Sequence, residues 1–118
     1  WGGFVISSNN YKVFYSGDTS YGKHFKMIGE QYGPFDLSLL EVGTYEPRYI
    51  MARSHMNPEE AVMAHLDLLS NQSIGMHLKT FQLSDERYNQ PIEDLEKAKD
   101  QLGVINFRAL DFGERIEL

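Results

Sequence analysis

Short β-branched and aromatic segments alternate along this chain with segments of helical periodicity, and this alternation limits the possible folds more than any other feature. In chain order the pattern predicts a hairpin, a helix, a strand, a helix, a strand, a helix and a C-terminal hairpin. Strands and helices that alternate in this way pack as layers, with the helices lying on a sheet. We therefore expect an α/β fold in which residues 1–118 form a single domain.

Turn residues define where several of these elements begin and end. The segments 4–6 and 11–15 are predicted to form the first hairpin, and 107–110 is predicted to pair with 115–118 in the last one. Gly33 is expected to end the first helix in the left-handed conformation, because a glycine before a proline is typical of a helix C-terminus.

The sequence around Asn57 is typical of a helix start. Asn57 is a good N-cap, and Pro58 suits the first helical position. The apolar side chains expected to face the core from this helix are Val62, Leu66 and Leu69.

Composition limits the classes of function. Eleven Lys and Arg against seventeen Asp and Glu give a net charge of -6, the wrong sign for a surface that neutralises the phosphates of nucleic acid. The 118 residues contain no cysteine, which excludes a disulfide scaffold and a thiolate zinc site. No apolar run in the sequence approaches the ~20 residues of a membrane-spanning helix. We expect a cytoplasmic protein that makes at most peripheral contact with a membrane.

Two polar residues follow predicted strands at places where parallel sheets bind ligands. Asp18 comes after the second strand, on a glycine-led turn into a helix, and His77 ends the strand that begins at Ser73. The carboxyl ends of parallel strands form the ligand-binding crevice of open α/β sheets, and a carboxylate with an imidazole suits zinc, manganese or iron. The alternatives are structural: Asp18 as a helix N-cap and His77 as a hydrogen-bonded residue at a strand end.

Five ordered motifs give the sequence a specific resemblance. They are Ser16-Gly17-Asp18-Thr19-Ser20-Tyr21-Gly22, Gly33-Pro34-Phe35-Asp36-Leu37, Tyr45-Glu46-Pro47-Arg48, His55-Met56-Asn57-Pro58-Glu59-Glu60-Ala61-Val62 and Gly75-Met76-His77-Leu78-Lys79-Thr80-Phe81. In these motifs the chain resembles the C-terminal portion of the metallo-β-lactamase superfamily. More narrowly, it is similar to the N-acyl-phosphatidylethanolamine-hydrolysing phospholipase D group and its bacterial, RomA-like relatives.

The resemblance implies a zinc-dependent hydrolase of phosphodiesters or related esters, similar to a phospholipase D. Asp18 matches the aspartate that bridges two metal ions, and His77 matches the last histidine ligand, on the second ion. His55 matches a histidine near the reacting phosphate that assists catalysis or substrate binding. Two zinc ions about 3.5–4 Å apart hold a hydroxide, lower its pKa and stabilise the charge that develops at phosphorus.

The main departure from the family is an incomplete site. The family's upstream His-x-His-x-Asp-His signature and a further histidine are absent from these 118 residues, and the chain begins at Trp1 rather than at Met. We expect a piece of a longer protein, the second half of an αββα sandwich, which pairs with the missing N-terminal half or with itself. Alone it should bind zinc weakly and show no phosphodiesterase activity, because zinc sites usually need three or four protein ligands. The alternative is a non-catalytic half-domain that acts as an interaction or structural module.

The long loop before the second helix supplies candidate substrate contacts. Tyr45 and Tyr49 could line a groove for a lipid, and Arg48 could contact an anionic head group. Alternatively, the two tyrosines only cover the core, and the arginine is a solvated charge or forms an ion pair on the loop.

Two smaller departures from the family lie beside the predicted ligands. Glu41 stands where relatives carry an apolar residue or proline, and Leu78-Lys79 stands in place of a Trp-Gly pair. We expect Lys79 to add positive charge near the metals.

Overall fold

The computed structural model of the chain describes residues 2–118; Trp1, the first residue of the predicted domain, lies outside them. The strands are β1 (Phe4–Ser7), β2 (Lys12–Tyr15), β3 (Phe35–Glu41), β4 (Ser70–Met76) and β5 (Phe107–Ala109). The helices are α1 (His24–Tyr32), α2 (Arg48–Met51), α3 (Pro58–Asp67) and α4 (Gln90–Leu102). The predicted α/β fold is confirmed, and α2 is a short addition inside the loop before α3.

The described strands form one sheet in the order β1-β2-β3-β4-β5. β1 and β2 form the predicted antiparallel hairpin, whereas β2, β3, β4 and β5 are parallel neighbours. Each parallel step is connected through a helix, and right-handed steps that advance in one direction put their helices on the same face of the sheet. The carboxyl ends of β2, β3 and β4 therefore meet at one edge.

The core lies between the sheet and the layer formed by α1, α3 and α4. Its fully buried aromatic side chains come from both layers: Phe25 from α1, Phe35 from β3 and Phe107 from β5. α3 begins as predicted, because the Asn57 side chain accepts a hydrogen bond from the Glu60 N–H and the Glu60 carboxylate accepts one from the Asn57 N–H. Such a capping box satisfies two backbone donors that a helix start leaves free.

The face of the sheet away from the helices is apolar and partly exposed. Strand pairing places six side chains of β1, β2 and β3 together on this open face: Phe4, Ile6, Val13, Tyr15, Leu37 and Leu39. Phe4 is 64% exposed and Ile6 is 60% exposed. Contiguous apolar surface of this kind is typical of interaction sites.

The predicted C-terminal hairpin is wrong. β5 pairs with β4 in parallel, and residues 115–118 lie outside the sheet. The turn before them does form, because the Glu114 N–H donates to the Asp111 carbonyl at 3.0 Å. The chain end then reaches the start of β2, where the Tyr11 hydroxyl donates to the Leu118 carbonyl at 3.0 Å. This contact takes the place of a return strand beside β5.

Two details of the predicted helices also differ. Leu66 and Leu69 are exposed rather than inward, because α3 packs through the side of the helix that carries Ala61, whose small side chain lets the helix lie close to its neighbours. Gly33 has an extended backbone, with φ -70° and ψ 178°, rather than a left-handed one. It is required for space, since a Cβ there would lie 2.5 Å from the Gly29 carbonyl oxygen.

Candidate metal centre

Three side chains that the sequence singled out converge at the carboxyl edge of the sheet. Asp18 follows β2, His77 follows β4, and His55 ends the loop before α3. Each offers one ligand atom, and these atoms lie within 4.8 Å of one another. Asp18 Oδ1 is 3.7 Å from His77 Nε2, and the rings of His55 and His77 stack with their centroids 5.3 Å apart. We call this group the three-residue centre.

The backbone at His77 turns its side chain towards the centre. Its φ is 63°, in the left-handed region that residues other than glycine seldom occupy. The ring lies beside the end of β3, with Nδ1 3.4 Å from the carbonyl oxygen of Gly43. A carbonyl only accepts hydrogen bonds, so the tautomer of His77 that donates from Nδ1 to Gly43 is the one that presents an unprotonated Nε2, the form able to bind a metal, towards Asp18. Backbone strain of this kind is concentrated at functional sites.

Gly43 makes this close approach possible. A Cβ on Gly43 would lie 2.0 Å from the His77 carbonyl oxygen, whereas ordinary contacts begin at 3.4 Å. The two strand ends are still paired here, since the Val42 N–H donates to the Met76 carbonyl at 3.0 Å. A side chain at position 43 would therefore push the end of β3 away from His77.

A fully buried carboxylate, Glu41, lies behind the centre at the end of β3. Its Oε1 accepts hydrogen bonds from the N–H groups of Thr19 at 2.9 Å and Met56 at 3.0 Å. Its Oε2 lies 3.0 Å from His55 Nδ1. Burial raises the pKa of Glu41, and these three hydrogen bonds act in the opposite direction. The sequence marked Glu41 only as a departure from the family, although a carboxylate directly after the apolar pair Leu39-Leu40 at the end of a strand is a usable signal.

The donor set of the three-residue centre suits a divalent metal ion. One carboxylate and two imidazoles are ligands that zinc takes in proteins, and manganese or iron accepts them as well. Histidines that bind metals nearly always donate their second ring N–H to a carboxylate or a carbonyl. Here Glu41 lies on Nδ1 of His55, and the Gly43 carbonyl lies on Nδ1 of His77. The residues present fit a metal and leave coordination positions for further ligands.

The centre borders two surface cavities. The Asp18 side chain is 57% exposed. A surface cavity of about 560 Å³ is lined by both Asp18 and His55. His77 lines a second pocket of about 210 Å³ together with Phe81 and Leu83. Each of the three residues therefore lies at the wall of a cavity open to a ligand.

The three predicted substrate contacts occupy different environments. Tyr45 is 2% exposed, and its hydroxyl donates to an aspartate of α4 at 2.5 Å, so its burial favours the structural alternative. Arg48 binds Glu60 at 2.8 Å and donates to the His55 carbonyl at 3.1 Å, which holds the loop that carries His55. Tyr49 is 83% exposed on α2.

Lys79 is paired, and it does not add the free positive charge expected beside His77. Its ammonium group binds the Asp111 carboxylate and donates to the Leu110 carbonyl at 3.3 Å. The hydrogen bond from Lys79 lowers the pKa of Asp111. The lysine charge is therefore neutralised by the C-terminal tail.

Comparison with known proteins decides the family. A family model described as a beta-lactamase superfamily domain matches residues 1–78 of the 118. The chain belongs to the metallo-β-lactamase superfamily. The match extends from β1 through β4 and includes the whole three-residue centre.

Relatives within the superfamily confirm the narrower resemblance. The chain is 37% identical over 119 residues to N-acyl-phosphatidylethanolamine-hydrolyzing phospholipase D 1 of Caenorhabditis elegans, an alignment that covers 97% of the chain and 33% of that protein. It is 39% identical over 79 residues to the outer membrane protein RomA of Klebsiella pneumoniae, with 65% of the chain and 57% of RomA covered. Igni18, a metallo hydrolase of Ignicoccus hospitalis, superposes with a TM-score of 0.66 and 26% identity, over 95% of the chain and 43% of Igni18. The chain thus spans less than two thirds of each of these proteins.

Proposed function

We propose that this chain carries half of the active site of a zinc-dependent hydrolase that acts on phosphodiesters in the manner of a phospholipase D. The observation that supports the proposal is the convergence of Asp18, His55 and His77 at the carboxyl edge of the sheet. Membership of the metallo-β-lactamase superfamily supports the use of a metal, and similarity to a phospholipase D supports the substrate class. A purely structural half-domain has no need of an accessible carboxylate beside two oriented imidazoles.

Each residue of the centre has a proposed role. Asp18 and His77 would hold the metal, Asp18 through a carboxylate oxygen and His77 through Nε2. When bound, two zinc ions lower the pKa of water and stabilise the charge that develops at phosphorus. His55, whose Nδ1 is engaged by Glu41, would meet the reacting phosphate and could take up a proton there at Nε2.

The open face of the sheet is the proposed docking surface for the part of the protein that completes the site. A two-metal site needs more ligands than Asp18 and His77 provide, so another segment must bring them to the same edge. The exposed apolar side chains of Phe4 and Ile6 show that this face has surface left to bury. An N-terminal half with the His-x-His-x-Asp-His signature, or a second copy of this chain, would cover it.

We also propose a cytoplasmic location with peripheral membrane contact. A sequence of 118 residues without cysteine supports a reducing environment such as the cytoplasm, where disulfides are rare. Among residues 2–118, no helix is long and apolar enough to cross a membrane.

Zinc uptake on mixing with an N-terminal half tests the proposed function. The chain is freed of metal with a chelator and titrated with zinc by calorimetry, alone and after addition of a separately expressed N-terminal half that carries the His-x-His-x-Asp-His signature. We expect weak binding alone, tight binding in the mixture, and hydrolysis of an aryl phosphodiester only in the mixture.

Substitutions locate the zinc in that experiment. Asp18→Ala and His77→Ala should abolish tight binding in the mixture. Asp100→Ala, which removes an exposed carboxylate on α4, serves as the matched control and should bind zinc like the unaltered chain. Hydrolysis by the chain alone, or tight zinc binding by the mixture containing Asp18→Ala, would contradict the proposal.

A further inference from the structure

The buried carboxylate behind the three-residue centre is hydrogen-bonded to two of the three segments that build it. Glu41 ends β3, and its Oε1 holds the N–H of Thr19, the residue after Asp18, and the N–H of Met56, the residue after His55. Its Oε2 lies 3.0 Å from His55 Nδ1. One side chain with no exposed surface therefore joins the Asp18 turn and the His55 loop to the end of β3.

The chemistry of this contact fixes which ring nitrogen of His55 carries the proton. While Glu41 is ionised it has lone pairs and no hydrogen to donate, so the hydrogen between Oε2 and Nδ1 then belongs to the histidine. Neutral His55 then has an N–H at Nδ1 and a free lone pair at Nε2. The Nδ1 of His77 likewise faces an acceptor, the Gly43 carbonyl.

We propose that Glu41 is a positioning residue that sets the tautomer of His55, so that Nε2 meets the centre as an acceptor rather than as a donor. The catalytic consequence rests on the function proposed above, whereas the tautomer itself does not. A donor at Nε2 could neither take up a proton nor face a cation without repulsion. The carboxylate at position 41 therefore decides whether Nε2 of His55 can take up a proton or face a metal ion.

The substitution Glu41→Gln tests this role with almost no change of shape. The amide oxygen of Gln can keep the hydrogen bonds from the N–H groups of Thr19 and Met56, which leaves its NH₂ group pointing at His55 Nδ1. An amide NH₂ only donates, so Nδ1 must accept and the ring proton must move to Nε2. The variant therefore inverts the tautomer instead of merely weakening a contact.

Nitrogen-15 correlation spectra of the histidine rings report the tautomer directly. The spectra are recorded at increasing pH until the two ring nitrogens give the separate signals of a neutral imidazole. We expect the Nδ1–H form for His55 in the unaltered chain and the Nε2–H form in Glu41→Gln. Glu86→Gln is the matched control, because Glu86 is also buried and holds the N–H groups of Thr44 and Glu46 without touching a histidine. It should leave His55 in the Nδ1–H form.

The result for the unaltered chain is decisive by itself, even if Glu41→Gln does not fold. An Nε2–H form of His55 would show that Glu41 holds the proton, and would overturn the proposal. An unchanged tautomer in a folded Glu41→Gln chain would overturn it as well. In the mixture with the N-terminal half, Glu41→Gln should lower kcat for an aryl phosphodiester by about 10- to 100-fold with little change in KM. Absence of any activity in the unaltered mixture would count against the proposed function and leave the tautomer result standing.

Discussion

The close approach of β3 and His77 predicts a specific effect of Gly43→Ala. The added Cβ would lie 2.0 Å from the His77 carbonyl oxygen, and ordinary contact begins at 3.4 Å, so the backbone must take up the difference of about 1.4 Å. The carbonyl oxygen belongs to the main chain and the Cβ is fixed to it, so neither atom can rotate away. We expect a loss of about 1–3 kcal/mol in the free energy of unfolding, the usual cost of overpacking.

The same displacement should impair the three-residue centre. Metal sites tolerate deviations of only about 0.2 Å in ligand distances. A shift of His77 several times larger should lower the affinity for cobalt or zinc at least about tenfold, which corresponds to about 1.4 kcal/mol. The measurements are urea unfolding, the nuclear magnetic resonance signals of the His77 ring, and metal titration.

Gly103→Ala separates loss of stability from displacement of the site. Gly103 caps α4 with φ 69° and has no atom within 4 Å of an added Cβ, so the variant is strained by about 1–2 kcal/mol at a position remote from the centre. It should unfold more easily and still show unaltered His77 signals. If Gly43→Ala matched the unaltered chain in stability and metal affinity, the argument from the crowded strand ends would be refuted.

Three further predictions address the capping box, a buried histidine and the open face. Asn57→Ala should lower the free energy of unfolding by about 1 kcal/mol, because it removes the acceptor for the Glu60 N–H; an unchanged urea midpoint would contradict this. Burial lowers the pKa of His65 in the folded chain. As the pH decreases below about 6.5, the unfolded state therefore takes up a proton before the folded state does. The free energy of unfolding should decrease over this range and level off once the pH is below the folded-state pKa. Urea unfolding at several pH values should show a smaller loss for His65→Gln, and equal losses in both chains would rule out this origin. If the isolated chain pairs with itself through the open face, Ile6→Ser should shift its elution by size exclusion towards the monomer at equal concentration, and an unchanged profile would exclude that face.

Most of the fold could be predicted because the local signals agree with the tertiary structure. The hairpin of β1 and β2 and the capped start at Asn57 both depend on short-range chemistry. The predicted C-terminal hairpin does not form, and the chain end instead contacts Tyr11 near β2, a residue 107 positions away that no local turn pattern identifies. The prediction of which side of α3 is buried was wrong for Leu66 and Leu69, because small residues such as Ala61 pack against the core. Hydrophobic periodicity gives such small residues too little weight.

Some residues of the candidate site could be identified from the sequence, and others only from the folded structure. Asp18 and His77 could be singled out because parallel strands bring their carboxyl ends together, which is a property of the topology. Glu41 could not be assigned a partner, since its hydrogen bonds reach 22 residues back to Thr19 and 14 and 15 residues forward to His55 and Met56. Only the folded chain shows that the carboxylate at the end of β3 organises the loops on either side.

Cobalt titration of the nitrogen-15-labelled chain tests the central claim most directly. The paramagnetic ion broadens or shifts the signals of residues close to it, so the affected residues locate the metal without any assumption about activity. If Asp18, His55 and His77 form a metal centre, their signals should change first, and Asp18→Ala should remove the effect. Early changes confined to other exposed carboxylates, such as those of α4, with the three residues unaffected, would contradict the account.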